Sequence, residues 1–573
     1  MFTIKKFLLL PIIAVLLQSA AGLSAQTRQV NVDSLFSEYL KIFTPSASLS
    51  PEAPSDSSKS KPVNRHKCGL PLEMLMRSYY KNLSTENQAL YKRMSSRPEM
   101  QASVLSPSGR FRIHYDLTGP NTPGYIKGAS VGENVRQTGL LLDSVYNFEV
   151  VYLGYPAFPG DNGLGGDDAC DVYLANLGGG YYGETLPDEN GITTFIRVDN
   201  DFYDSQNTHG LPALKVTLAH EFHHVIQLTC YNPQSSYNDE YYLFESTATA
   251  MEEFVFDDVN DYYYYLPEYF NAPQRPFALY DMQNCYALVI WQLYLKERFG
   301  YDIIKTQWEY FRTNPALKSI SMAIAQYSSS LRSELSTFGL WSYFSGYRKQ
   351  YDTKNEYFSE GARYPLLKGF YNYTYNGQEK SYTLSGKAMS NYFLRFSSFN
   401  GTYTDTIIAI VTNADFNNAV VNPANDYKYV FTIGPSKTDL TDFISNNYYA
   451  GVTSENHDIY KSAFIFNGRT NPGIYYIKET EDPYPLPFIY ARHEQLKLPV
   501  TYSEMGTADL YIYTPSMQLV YKGSSAITSP EDKFVLTWNG RDSDGNKLAS
   551  GVYLYVTDSR GSLKKGKIVI INE

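Results

Sequence analysis

A chain of 573 residues is too long for one ordinary hydrophobic core and predicts three or four domains. Its formal net charge of −10, with no long basic tract, argues against nucleic acid or an anionic membrane as a main partner. Tyrosine is abundant, at 54 residues, while charged residues make up only 19%, a profile that suits a β-rich extracellular protein.

At the start, Lys5 and Lys6 precede an apolar run over residues 7–17, and small residues follow, ending in Leu23-Ser24-Ala25. A charged segment, a short apolar segment and a small-residue site predict a signal peptide over 1–25, cleaved after Ala25. No later stretch is long and apolar enough to span a bilayer, so the mature chain is expected to be secreted or held at the outer cell surface. Residues 26–106 read as a pro-region. It contains a Ser/Pro-rich linker at 45–64 and a helix over 70–95, on which Leu72, Leu75, Met76 and Tyr79 share a face.

Near residue 107 the pattern changes. Phe111, Ile113 and Tyr115 alternate with polar residues, and residues 171–174 and 193–198 also read as strands. Helical stretches follow at 213–229, 240–256, 284–299 and about 317–346. Strands first and helices later predict an α+β domain over 107–355. From 365 only strands and turns remain, including 382–399, 406–412 and 474–478. They predict an all-β sandwich over 365–490. A final β module over 491–573 has strands at 508–513, 533–538, 551–557 and 566–571. The four cysteines (Cys68, Cys170, Cys230 and Cys285) are too few for a disulfide framework, and any bridges would be local staples.

The chemistry centres on His220-Glu221-Phe222-His223-His224. On a helix His220 and His224 lie one turn apart on one face, where two imidazole nitrogens can reach one Zn²⁺. Glu221 lies beside them, suited to take a proton from an attacking water. With 8 histidines in 573 residues, an H-E-x-x-H is expected by chance about 0.006 times, so coincidence is set aside. His223 is read as supporting the site from behind or as exposed. A third ligand from H-E-x-x-H-x-x-G-x-x-H would need Gly at 227 and His at 230, but the chain has Gln227 and Cys230. Glu245, on the next predicted helix among the small residues Ser246, Ala248 and Ala250, is the candidate instead. Glu252 and Glu253 read as a solvated helix end.

His220-Glu221-x-x-His224 followed by Glu245 resembles the gluzincin branch of the zincin metallopeptidases. The resemblance implies one catalytic zinc held by His220, His224 and Glu245, with Glu221 as general base. It also implies protein or peptide substrates lying extended along a strand near the active helix, for which residues 193–198 are the candidate. Asn does not precede Glu245 and Ser-Asp does not follow it at the thermolysin-like offset, so the branch is a divergent one. Tyr262, Tyr263, Tyr264, Tyr265 and His209 are open candidates for an oxyanion-stabilising group.

Cys68-Gly69-Leu70-Pro71 is similar to the Cys-Gly-x-Pro stretch by which matrixin propeptides occupy the open zinc position. A structural or disulfide-bonded cysteine is the plainer reading of Cys68. Trp538-x-Gly540-x-Asp542, followed by Ala549-Ser550-Gly551-x-Tyr553, resembles the Ig-like C-terminal domains of bacterial surface proteins. The ending Lys567-Ile568-Val569-Ile570-Ile571 is similar to sorting domains of the type IX secretion route, which implies outer-membrane secretion machinery as a partner. Asp542 and Asp544 do not complete a Ca²⁺ loop and read as a hairpin turn. The expectation is a secreted zinc endopeptidase made as a zymogen. Its rivals are a surface adhesin with a non-catalytic metal site and a zinc hydrolase acting on a non-peptide substrate.

Overall fold

A computed structural model describes residues 67–572 apart from short internal segments, together with Val32, Phe36, Ser37, Tyr39 and Leu40. The expected signal peptide (1–25) and the linker at 45–64 lie outside the described residues. The chain forms two compact units. One comprises residues 1–267 with 280–319, and the other comprises 268–279 with 320–573.

In the first unit the helix expected over 70–95 is two, α1 (Leu70–Tyr79) and α2 (Thr85–Met94). Ser84 starts the second by accepting the Asn87 N–H at 3.3 Å, an N-cap that ends the continuity of the apolar face. Met76, Leu83 and Tyr91 pack with Phe36 and Tyr39 into a small core of their own. Inside it the Tyr39 and Tyr91 hydroxyls donate to the buried Glu73 carboxylate at 3.2 and 2.5 Å.

Next comes a sheet of β1 (Ala102–Leu105), β2 (Phe111–Tyr115), β3 (Cys170–Ala175), β4 (Gly183–Pro187) and β5 (Thr194–Asp199), in the order β1-β2-β3-β5-β4. β2, β3 and β5 are parallel, while β1 and β4 run antiparallel to their neighbours at the two edges. The sheet therefore begins before residue 107. β4 escaped sequence reading because all five of its residues are buried, so it shows no alternation. Glu184, its second residue, is tolerated there by Arg197 of β5, 2.7 Å away.

The longer helices that follow in this unit are α3 (Val131–Tyr146), α4 (Gly210–Ile226), α5 (Tyr237–Val255), α6 (Val289–Phe299) and α7 (Asp302–Phe311), and α8 (Ala316–Ala325) runs across the division at residue 319. α4 is buried continuously from Val216 to Ile226 and packs on β4, β5 and α5. A helix buried all round must satisfy every polar side chain it carries from neighbouring elements. That requirement shapes the site described below.

After α8 the second unit continues with α9 (Leu331–Tyr343), so the helix expected over 317–346 is also two. Two sheets follow. One has the order β11-β10-β7, from β7 (Lys380–Gly386), β10 (Tyr427–Pro435) and β11 (Tyr448–Ser454). The other has the order β13-β12-β9-β8-β6, from β6 (Phe370–Thr374), β8 (Ser390–Ser397), β9 (Thr406–Asn413), β12 (Ile459–Asn467) and β13 (Gly473–Tyr475). Of the strand expected over 474–478, residues 476–478 lie outside the described residues.

The last module pairs β14 (Phe488–Ile489), β16 (Thr507–Tyr513), β17 (Leu519–Ala526), β19 (Gly551–Ser559) and β20 (Ser562–Ile571) in the order β14-β20-β19-β16-β17. A two-stranded sheet of β15 (Leu496–Pro499) and β18 (Val535–Trp538) accompanies it. Leu498, Leu510, Ile512, Leu536, Trp538 and Ile570 lie in its core. Asp542 Oδ1 accepts the N–H groups of Asp544 (3.0 Å) and Asn546 (2.8 Å), the bonding of a tight turn.

All four cysteines are free thiols, which removes the local staples and the disulfide-bonded reading of Cys68. No helix among the described residues is long and apolar enough to cross a membrane.

Candidate metal centre

His220 and His224 lie one turn apart on α4, with their Nε2 atoms 3.1 Å from each other. α5 packs against this face and brings Glu245, whose Oε2 is 3.3 Å from His220 Nε2 and whose Oε1 is 3.4 Å from His224 Nε2. Cys68 Sγ, from the segment just before α1, joins them. The four donor atoms lie within 4.8 Å of one another and all four residues are buried.

The hydrogen bonds behind the histidines decide which way their lone pairs point. His220 Nδ1 is 2.7 Å from Glu252 Oε1, and His224 Nδ1 is 2.6 Å from Gln227 Oε1. Both partners are acceptors, so both Nδ1 atoms carry the proton and both Nε2 atoms turn a lone pair inward. Two nitrogen lone pairs and a carboxylate then converge on one buried point, an arrangement that repels itself unless a cation sits there. Burial works to lower the His220 pKa, but the bonds to Glu245 and Glu252 outweigh it and hold it at about 9. Burial would raise Glu245, yet His224 and His220 hold it down at about 2.

Donor spacing tests the fit. Ligands about 2.0–2.1 Å from a tetrahedral Zn²⁺ stand about 3.3 Å from each other. The two imidazole Nε2 atoms, 3.1 Å apart, are close to that edge, and each has a different oxygen of Glu245 at a similar distance, 3.3 Å for His220 and 3.4 Å for His224. The cluster could hold a metal ion, and the donor types present are ones zinc accepts.

Glu221 is buried beside this cluster, and its Oε2 accepts from Thr185 Oγ1 of β4 at 2.8 Å. Burial raises its pKa, and His224 and His220 pull it back. Burial, then Glu221 and Glu245, push the Cys68 thiol up.

The structure separates the remaining sequence candidates. His223 is fully buried, so the exposed reading fails. Its Nδ1 lies 2.8 Å from Glu149 Oε2, and its ring packs edge-on against Tyr155 and Trp308, away from the donor cluster. His209 bonds Ser205 Oγ at 2.8 Å and carries no contact to the cluster among the described residues. Glu252 is not a solvated helix end. It is 1% exposed and lies between His220 Nδ1 and Lys67 Nζ, which is 2.5 Å from its Oε2. Glu253 is buried as well. Residues 193–198 are also not the edge that an extended chain could join, because β5 is paired on both sides. That edge belongs to β4.

A short piece of the chain already lies there. Gly69 N–H donates to Gly183 O at 3.0 Å, and Lys67 O accepts from Tyr182 N–H at 2.8 Å and from Gly183 N–H at 3.2 Å. The rung is parallel to β4. Farther along, the Arg77 guanidinium of α1 donates to Pro187 O. Gly69 permits this approach, since a Cβ there would fall 2.6 Å from Glu184 Oε2 and 2.8 Å from Glu184 Cβ.

Sequence reasoning missed Tyr286, which belongs to no motif. Its hydroxyl accepts the Cys68 N–H at 3.3 Å, and its ring centroid is 6.2 Å from that of His220 and 5.0 Å from that of Tyr265. Burial, then Glu245, hold its phenol far above neutral pH, so it keeps its proton.

No protein-family model matches the chain, and no curated protein matches it. Among solved structures it is matched to PorZ of Porphyromonas gingivalis, described as an essential bacterial surface component of the type IX secretion system. The identity is 12% over 30% of this chain and 29% of that one, with a TM-score of 0.13. It is also matched to dimeric latent PorU from Porphyromonas gingivalis, 14% identical over 29% of this chain and 13% of that one, with a TM-score of 0.13. The chain thus spans less than a third of either structure, and a TM-score of 0.13 supports no conclusion on fold or function.

Proposed function

We propose that this chain is a secreted zinc endopeptidase, produced in a latent form that its own Lys67-Cys68-Gly69 segment blocks. One observation carries the reading. The buried donors of His220, His224 and Glu245 stand together beside a buried Glu221, and the edge strand next to them is occupied by a strand-like piece of the same chain.

Zinc bound by His220, His224 and Glu245 would supply a Lewis acid for the scissile carbonyl. Thr185 holds Glu221 in place to take the proton of the attacking water and return it to the leaving amine. The Tyr286 hydroxyl is placed to donate to the carbonyl oxygen as charge develops on it. β4 offers its open N–H and C=O groups to an extended substrate backbone. In the latent chain the Cys68 thiol takes the position a substrate needs. The resemblance of the C-terminal β module to sorting domains supports export by the type IX route.

One feature favours a second reading. Counting Cys68, the cluster has four protein donors, the number of a closed structural zinc site, as in an adhesin with a non-catalytic metal. The full chain carrying Cys68→Ala separates the two, assayed for zinc content and for cleavage of a denatured protein. The endopeptidase reading expects about one zinc per chain and new cleavage, with Glu221→Gln added to it abolishing cleavage but keeping the metal. Loss of zinc without any cleavage would establish the structural reading.

A further inference from the structure

Lys67 is the part of the blocking segment that zinc ligation does not explain. Its side chain is 4% exposed. Nζ sits 2.5 Å from Glu252 Oε2 and 2.9 Å from Asp261 Oδ2. The rings of Tyr265, Tyr182 and Tyr286 surround it at 5.1, 6.0 and 6.0 Å. This is a built pocket for one ammonium group. Two carboxylates balance its charge, and three aromatic faces strip its water while offering cation–π attraction. Asp261 is fixed in advance by Asn207 Nδ2 at 2.9 Å and by the Thr208 hydroxyl.

The backbone that carries this lysine lies where a substrate backbone would. Lys67 O accepts from Tyr182 and Gly183 at the edge of β4, and the next residue is the thiol at the donor cluster. When the segment leaves, Glu252 and Asp261 keep their bonds to His220, Asn207 and Thr208 but lose the ammonium between them. A second cation of the same chemistry restores that partner. The compact spacing suits an ammonium better than a planar guanidinium, which bonds carboxylates as a fork.

The geometry points to a lysine subsite, in which Glu252, Asp261 and the tyrosines bind a substrate lysine next to the scissile bond and Lys67 is its stand-in in the latent chain. This inference rests on the endopeptidase reading.

The test uses the full chain carrying Lys67→Ala and Cys68→Ala, loaded with zinc. It digests a mixture of denatured proteins, and mass spectrometry locates the cleaved bonds. Lysine should stand beside the cut roughly tenfold or more above its background frequency, and arginine less so. Adding Asp261→Asn should lower that enrichment at least about threefold. The pair Lys67→Met and Cys68→Ser, closer in volume, gives the same readout if the alanine pair does not fold. If Asp261→Asn does not fold, the enrichment with Asp261 intact decides alone. Cleavage without lysine enrichment, or enrichment indifferent to Asp261→Asn, overturns the subsite and leaves the endopeptidase standing. A zinc-loaded chain that cuts no protein sinks both.

Discussion

His220 and His224 present the same atom to the metal point, yet different groups hold them from behind. A carboxylate stands behind His220 and a neutral amide behind His224. A carboxylate raises the basicity of its imidazole more, so under the proposed function Glu252 would contribute to metal affinity without touching the metal. Glu252→Gln should weaken zinc binding by about 10–100-fold, read by competition against a chromophoric chelator. An affinity within twofold of wild type would show that Glu252 only orients the ring. Tyr286 is testable at the same scale. Tyr286→Phe should lower kcat and kcat/KM together by about 10²–10³-fold, the pattern of a bond made only in the transition state. A rise in KM alone would reassign it to substrate binding. The two residues show where a sequence stops being legible. The spacing of His220, Glu221 and His224 is local and reads directly from the chain. Glu252 has a partner 185 positions away in Lys67, and without that partner an acidic residue near a helix end reads as solvated. Tyr286 acquires meaning only when its helix is brought beside α4.

At the scale of elements, the site depends on how closely β4 lies against α4. A Cβ at Gly183 would meet Thr217 Cγ2 at 2.8 Å and Glu221 Cγ at 2.9 Å. Glycine is required there because the strand crosses directly over the side chain proposed as the base. Gly183→Ala should cost about 1–3 kcal/mol of stability by overpacking, measured by denaturant unfolding. It should also disturb the Thr185–Glu221 bond and lower activity beyond what the stability loss explains. A fully stable, fully active variant would mean that β4 is not held by this contact. α4 and α5 were foreseen nearly to their ends, because long apolar stretches leave a strong imprint. β4 was not, for the opposite reason. Glu184 breaks the apolar run, Pro187 ends it, and burial on both faces removes the alternation by which strands are recognised. Gln227 told half its meaning in advance. Its presence excluded the three-histidine motif, but its bonds to Phe244 O (3.1 Å) and Thr247 Oγ1 (3.0 Å), which tie α4 to α5, needed the fold.

For the molecule as a whole, the donor cluster draws together three distant stretches of chain: the segment before α1, the helix α4 and the helix α5. A ligand bound only by the folded state stabilises it in proportion to the logarithm of its concentration over its dissociation constant. Zinc at about 100 times that constant adds about 2.7 kcal/mol, or roughly 4–5 °C in the melting temperature of a unit of this size. The latent chain should therefore melt lower by about that amount in a strong chelator. Cys68→Ala should show a smaller chelator shift, because one donor is gone and the metal no longer holds the blocking segment. Chelation should also expose residues 67–69 to a non-specific protease, since the metal then no longer adds to the backbone bonds to Tyr182 and Gly183, the Tyr286 hydroxyl and the Lys67 pocket that retain them. An equal chelator shift in both proteins would mean that the thiol does not share the metal. Latency would then rest on the occupied edge of β4 alone, and Cys68→Ala would leave the chain as inactive as before.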